Sequence, residues 1–495
     1  MGRITPEHGD PDSLPSSTQP SKSNSEDGPT PPANVDDAAL VRKIDMRVMP
    51  MLFAIYFVAF LDRYALRSVT SISQDDPPFN RVNISNALTM SMPEDLNLYG
   101  DRTNVALLIF YIPYVLLEIP SNILMKKLKP HVWLSGCIVA FGVVMLGQAF
   151  VHNYAGLIAT RFFLGLAECG IFPGSFYLIS FWYKRAEAQK RFTMYWSAVI
   201  FAGAFGGLIA SGIAKMDGMR GLENWRWIFL LEGIASILVG IAAFFFCADF
   251  PQQASWLTED EKTAVVVKTR NYNDDDDKVT KSDLAKSFKD LKLWLATIMY
   301  FTIVIPIYAF SYFAPTIIKS LGYGTIQTQL HSVPPFAAAV GLCAITAYLS
   351  DRWAIRVPFI LFGDLLIIIG LAIMLTMHGA SHFSAEYLGI CFITMGAFTS
   401  GAVIICWAMM NMHGHKERSI GSGVVIGIGN AGGIVAVFCF TSDDAPLYKR
   451  GYWILMGVTL AGTVSTLAYL LVVLRERRHQ LQVEGRTDKE KIASL

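Results

Sequence analysis

Seven ionisable side chains interrupt otherwise apolar runs of this chain: Asp62, Arg63, Glu118, Arg161, Glu168, Glu232 and Asp364. A charge at the centre of a lipid-embedded helix costs about 2.5–3.5 kcal/mol on insertion scales, so such a residue needs a partner or a task. Arg161 and Glu168 are two helical turns apart and share a face. About 10 Å separates them along the axis, too far for direct pairing. Each must therefore find its partner on another helix, and Asp62 is the natural partner for Arg161. A carboxylate beside an arginine stays ionised until its partner or its access to solvent changes, which is the physics a proton-carrying group needs. A fixed ion pair that only holds helices together is the competing reading for Arg161, and it weighs equally. Glu118 stands beside Pro120, where it can bond freed backbone groups or join helices. Glu232 is nearer the middle of its segment. We group Arg161, Glu118 and Glu232 as a charge network, and read Tyr111, Tyr308 and Asn430 as polar groups that complete a pocket for a small molecule.

The segments that carry these residues are built for lipid. Of 495 residues, 53% are hydrophobic and 16% charged, where a soluble domain carries about 25% charged. A spanning helix needs about 20 mainly apolar residues. Such segments stand near 103–124, 132–151, 155–181, 193–214, 226–247, 294–317, 333–350, 357–377, 386–410, 420–440 and 452–474. A further one starts at Val48, which makes twelve. The expected fold is an all-α membrane protein of twelve transmembrane helices in two six-helix bundles, over residues 42–247 and 293–474. A charged linker (248–292) joins them, with a small amphipathic helix around Ser282 to Leu291. Lys and Arg cluster before the first segment and after the second, fourth, eighth, tenth and twelfth, on one side of the membrane. By the positive-inside bias that side is the cytosol, which puts both termini inside. Residues 1–41 read as a disordered cytosolic tail rather than a signal peptide, and 475–495 as a second tail.

Several chemistries are disfavoured. A net charge of +1 gives no field for nucleic acid. The seven cysteines lie mostly in apolar runs, and none forms a C-x-x-C pair; they read as core residues. His413 and His415 fall in a basic turn with no metal constellation around them. The glycines from Gly421 to Gly433 have no βαβ context, so they read as a surface for close helix packing rather than a nucleotide loop. No nucleophile–base pair is evident, so an enzyme is not expected, nor is any cofactor or metal.

Two halves of six helices are the plan of a transporter whose cargo site lies near the bilayer midplane between them. At this point the motifs resemble a known family. Leu61-Asp62-Arg63, Tyr111-Ile112-Pro113-Tyr114, Glu118-Ile119-Pro120-Ser121-Asn122 and Arg161-Phe162-Phe163-Leu164-Gly165 with Glu168 come in order. They are followed by Trp225-Arg226-Trp227, Trp256-Leu257-Thr258, Pro315-Thr316-Ile317-Ile318 and Gly429-Asn430-Ala431-Gly432-Gly433. In this order they resemble the anion:cation symporter branch of the major facilitator superfamily, especially its fungal allantoate, nicotinate and vitamin permeases. The resemblance implies that Asp62 and Glu168 carry protons, that Arg63 meets the anionic cargo and that Arg161 tunes the two acids. Its partners would be a small organic anion, protons and the lipid bilayer, and it would act as a monomer in the plasma membrane. An exporter of a fungal metabolite on the same fold, and a non-transporting substrate sensor, are the alternatives. The second-to-third helix loop lacks the family's usual acidic residue. The fifth segment, with Gly203-Ala204-Phe205-Gly206-Gly207, lacks the Gly-Pro pair of drug antiporters.

The first segment is irregular. Only about 14 apolar residues precede Asp62-Arg63, short of the ~20 needed to span. The stretch 64–81 is polar and contains Pro77-Pro78, so the sequence predicts that the membrane helix stops there. Joining Arg63 directly to Val82 restores an apolar helix that carries both charges, which makes 64–81 an apparent retained intron, with a real extracellular loop insertion as the alternative. It also demotes the glycosylation sequon at Asn83-Ile84-Ser85, which would then lie in the helix. Sequencing the transcript across this region should show a message shorter by the 54 nucleotides that encode residues 64–81. An active protein translated from a message that keeps all of them would sink the idea.

Overall fold

The computed structural model describes residues 35–70, 92–98, 102–183, 185–213, 216, 218–269, 281–320, 325–377, 382–412, 414–440 and 447–483. Among them the regular elements are helical. The first half contains α1 (Asp37–Thr70), the short α2 (Met92–Asp95), α3 (Arg102–Lys127), α4 (Pro130–Ala149), α5 (Tyr154–Glu168), α6 (Ile171–Trp182), α7 (Arg185–Ile213) and α8 (Asn224–Phe246). Two linker helices follow, α9 (Glu259–Thr269) and α10 (Lys281–Phe288). The second half contains α11 (Leu291–Ser320), α12 (Thr325–Trp353), α13 (Val357–Thr376), α14 (Phe383–Met410), α15 (Gly414–Asn430), α16 (Gly432–Val437) and α17 (Lys449–Val483). Ten stretches are long and apolar enough to cross a membrane, with α5 and α6 counted together as Tyr154–Trp182. The other two predicted segments are also long helices, α3 with 26 residues and α7 with 29.

The first helix corrects the sequence reading. It does not stop at Asp62-Arg63 but runs unbroken from Asp37 to Thr70 over 34 residues. Its length is gained on the N-terminal side. Leu40, Ile44, Val48, Leu52, Ile55 and Ala59 are buried at helical spacing, so residues 37–41 begin a packed helix instead of ending a tail. Hydropathy missed this because the first turns carry one apolar stripe among charges. Asp37–Asp62 is itself apolar enough to span. The rest of the polar stretch, with the Asn83 sequon, falls in residues 71–91, outside the described residues. At the other end α17 continues to Val483, past the predicted boundary at 474.

Small residues set how closely the helices approach. Gly142 on α4 and Gly233 on α8 face each other: a Cβ on either would meet the other's carbonyl oxygen at 2.8–3.0 Å. Gly363 on α13 and Gly396 on α14 are paired the same way, at 2.9 and 2.3 Å. Across the two bundles, Gly203 on α7 lies under the ring of Phe336 on α12. Trp196 Nε1 on α7 donates to the Phe398 carbonyl on α14 at 3.1 Å. The Gly421–Gly433 stripe packs as the sequence reading expects: Gly427 meets Glu118, Gly429 meets Tyr300, Gly432 meets the Phe301 carbonyl and Gly433 meets Tyr111.

The described parts of the linker are structured and fastened. Thr258 and Glu261 form a capping box at the start of α9: the Thr258 N–H donates to Glu261 Oε2 at 2.9 Å, and the Glu261 N–H to Thr258 Oγ1 at 3.3 Å. The same carboxylate accepts from Lys43 Nζ on α1 at 2.8–2.9 Å, and that bond holds Glu261 below the usual carboxylate range. The contribution is therefore present above the ordinary carboxylate pKa and is lost as pH falls through the lowered one. Lys268 pairs with Asp37 at the other end of α9. Trp256 stacks on Trp182 with ring centroids 5.3 Å apart. The helix α10 lies where the sequence predicts a small amphipathic one.

Glycine packing gives a direct test. Gly396→Val adds a side chain against the Gly363 carbonyl, with Ile367 also within 2.9 Å. It should destabilise the purified protein by about 1–3 kcal/mol, the usual cost of overpacking, read as a lowered melting temperature. Gly147→Ala, where nothing lies within 4 Å, should leave melting unchanged.

Candidate functional site

Asp62 in the last third of α1 and Arg161 on α5 form a two-pronged ion pair. Arg161 Nη1 donates to Asp62 Oδ2 at 2.9 Å and Nη2 to Oδ1 at 3.2 Å. Their side chains are 3% and 1% exposed, so the pair is removed from solvent. The guanidinium carbon lies 5.7 Å from the centre of the Phe229 ring on α8. One turn further along α8 is Glu232, whose charged neighbours are Asp62 and Arg161. Its Oε2 is buried without a hydrogen-bond partner. Two carboxylates thus share one guanidinium in a dry site. With both ionised the group carries a net negative charge, and one added proton removes it.

A second group lies where the bundles meet. The rings of Tyr111 on α3 and Tyr308 on α11 are edge to face with centroids 5.8 Å apart. Tyr308 Oη donates to Asn430 Oδ1 at 3.4 Å, and Asn430 Nδ2 donates to Tyr114 Oη on α3 at 3.4 Å. The three residues picked out from the sequence therefore come together, and all are buried. Tyr114 was missed, although it stands one turn from Tyr111 in the Tyr-Ile-Pro-Tyr motif. Both hydrogen bonds are long, which suits groups that exchange a mutual contact for a ligand.

Glu168 ends α5 and is 2% exposed. It adjoins Tyr195 on α7, whose ring stacks on Tyr56 of α1 with centroids 4.4 Å apart. Tyr56 in turn stacks on Phe172 of α6 at 5.1 Å and has Tyr114, Tyr300 and Tyr308 as neighbours. Buried hydroxyls therefore run from Glu168 to Asn430. Sequence reading did not find Tyr56, Tyr195 or Tyr300, because 19 tyrosines give no way to choose among them.

Both ends of this strip fall at breaks in helices. The span Tyr154–Trp182 divides just after Glu168, because Pro173 has no N–H to offer the Cys169 carbonyl. The chain divides again just after Asn430. There the Ala431 N–H bonds to Ile428 O at 3.1 Å and the Ile434 N–H to Ala431 O at 3.0 Å, which tightens the turn. Discontinuous helices are where two-halved transporters build their sites.

Two predicted residues stand apart from these groups. Glu118 is fully buried but faces Gly427 on α15 and Cys169, so it joins α3 to the second bundle and does not share the Arg161 group. Arg63 follows Asp62 in α1, and its side chain lies outside the described residues. No cluster of three or more metal-ligating side chains occurs among the described residues.

Residues 52–437 match the family model of the Major Facilitator Superfamily. An uncharacterized transporter of Schizosaccharomyces pombe is 32% identical over 462 residues, covering 92% of this chain and 91% of its own length. The high-affinity nicotinic acid transporter of Saccharomyces cerevisiae is 29% identical over 455 residues, covering 91% and 80%. Among solved structures, the proton:xylose symporter XylE bound to 6-bromo-6-deoxy-D-glucose has a TM-score of 0.65 at 16% identity, covering 88% of this chain and 97% of that one; the likeness is one of fold. A family match over most of the chain, relatives of nearly full length and an all-helical fold with ten candidate spans among the described residues agree: the protein is a membrane transporter that belongs to the Major Facilitator Superfamily.

Proposed function

We propose that the protein is a secondary active transporter of the anion:cation symporter branch. It moves a small organic anion, a carboxylate or vitamin-like acid, together with protons by alternating access, in a plasma membrane with both termini in the cytosol. The observation that carries this reading is the buried group of Asp62, Arg161 and Glu232. A net charge in a dry site is unfavourable, so the group holds one proton more readily than none. When a proton neutralises Asp62, Arg161 turns to Glu232; when it leaves, the two-pronged pair to Asp62 re-forms. The exchange changes which of α1 and α8 is tied to α5, and so couples proton occupancy to helix packing. Glu168 is the second proton carrier, at the far end of the tyrosine strip.

The cargo sits among Tyr111, Tyr114, Tyr308 and Asn430, between the bundles. Flat aromatic walls and one amide suit a planar, partly polar molecule. Its carboxylate is assigned to Arg63, next to Asp62 on α1. The yeast relative, a nicotinic acid transporter, supports the same class of cargo. Metabolite export on the same fold uses these residues in the reverse direction.

The test is accumulation of labelled carboxylates, nicotinate among them, by cells expressing the protein at two external pH values. Uptake or efflux of one of them should follow the proton gradient. Glu232→Gln should abolish gradient-driven accumulation and keep exchange of labelled for unlabelled cargo. Asn430→Ala should raise KM about tenfold, the loss of one hydrogen bond worth about 1.4 kcal/mol. Transport indifferent to pH in both directions would rule out proton symport.

A further inference from the structure

The second bundle holds a buried carboxylate that the transport reading leaves unused. Asp364 on α13 is 4% exposed. The groups that act on it are two hydroxyls, Ser400 on α14 and Thr463 on α17. Among the described residues neither α14 nor α17, nor α13 itself, brings a charged or titratable side chain to it. An ionised carboxylate buried with no cation is costly, so something must supply a positive charge.

The hydroxyls are built to respond. Ser400 Oγ lies 3.1 Å from Asp364 Oδ1 and 3.0 Å from the Ile360 carbonyl. Thr463 Oγ1 lies 2.9 Å from Asp364 Oδ2 and 3.1 Å from the Thr459 carbonyl. Each hydroxyl has one proton for two acceptors. With a bare carboxylate both protons point to Asp364. With a cation there, both turn to the main chain and offer lone pairs instead; with a proton on one carboxylate oxygen, the hydroxyl beside that oxygen does so and the other keeps its bond. Beside the carboxylate, α11, α13, α14 and α17 line a cavity of about 10 Å³, with Asp364, Thr302, Thr459 and Thr466 on its polar side and Met299, Ile303, Ile404 and Gly462 completing the wall. A water molecule needs about that much room. The protons of these three threonines are bonded to the carbonyls of Ile298, Leu455 and Gly462 at 2.8–3.0 Å. Whatever oxygen they turn to the cavity is therefore an acceptor. One carboxylate among hydroxyl oxygens, with no N–H donor, is an environment for a hard monovalent cation or a proton.

We propose that Asp364, with Ser400, Thr463 and the adjoining hydroxyl-lined cavity, is a second cation site that takes one unit of positive charge, as a proton or as a sodium ion. It rests on reading the chain as a cation-coupled transporter, but its test does not depend on transport. Purified full-length protein is melted in sodium chloride or choline chloride, each at pH 5.5 and 7.5. If sodium is the occupant, the wild-type melting temperature rises by several degrees in sodium chloride. If the proton is, it rises by several degrees on acidification with no preference between salts. In either case Asp364→Asn, neutral and nearly isosteric, removes the response, while Glu232→Gln in the other bundle retains the difference from Asp364→Asn. Thr463→Val, which keeps shape and loses one oxygen, should raise the half-effective concentration several-fold if sodium is the occupant and lower it several-fold if the proton is, because the lost hydroxyl donates to the bare carboxylate; it serves where Asp364→Asn does not fold. Equal responses of Asp364→Asn and wild type, or of Thr463→Val and wild type if only that variant folds, would overturn the proposal. Loss of carboxylate transport with the melting response intact would count against the cargo reading alone.

Discussion

A buried ion pair between α1 and α5 organises the first bundle. Asp62 and Arg161 are both nearly inaccessible, and their geometry is two-pronged. Removing Arg161 would leave buried carboxylates without a cation, a loss of about 3–5 kcal/mol. Glu232 turns this pair from a simple fastener into a group with a choice, because the guanidinium has two carboxylates within electrostatic reach. A bilayer magnifies that choice, since water cannot enter to screen the charge left over. The tyrosine strip between Glu168 and Asn430 is the complementary arrangement: neutral polar groups, mutually bonded over long distances, at the seam where the bundles meet.

The breaks after Glu168 and Asn430 follow from the same constraint. In a membrane every main-chain donor and acceptor has to be satisfied within the protein. A helix interrupted at depth is therefore tolerated only where protein surrounds it. Both breaks are covered, the first by α1 and α7 around Tyr56 and Tyr195, the second by α3 and α11, which close on the glycines of α15 and α16. Small residues permit that closeness, and it brings Tyr111 and Tyr308 to Asn430.

Much of this could be read from the residues. Apolar length alone located the helices, because about twenty residues is a physical requirement of the bilayer. Opposite charges in apolar runs identified Asp62 as the partner of Arg161. Polar groups in otherwise apolar helices singled out Tyr111, Tyr308 and Asn430, which meet in space. Other features were hidden for physical reasons. Glu232 joins the Asp62 group through a three-helix contact that no spacing encodes, and Glu118 leaves it for the same reason. The start of α1 at Asp37 depends on one buried stripe that begins with Leu40 and Ile44, set among charges that hide it in the sequence. Tyr56, Tyr195 and Tyr300 look like any other tyrosine until their neighbours are known.

The fastened linker bears on how the bundles move against each other. By sequence some 45 residues (248–292) separate them. But α9 is held to α1 through Glu261 and Asp37, and α10 packs against α15 of the second bundle. Each bundle carries its own share of the linker as a fixed appendage, so rocking about the central seam takes α9 with one half and α10 with the other.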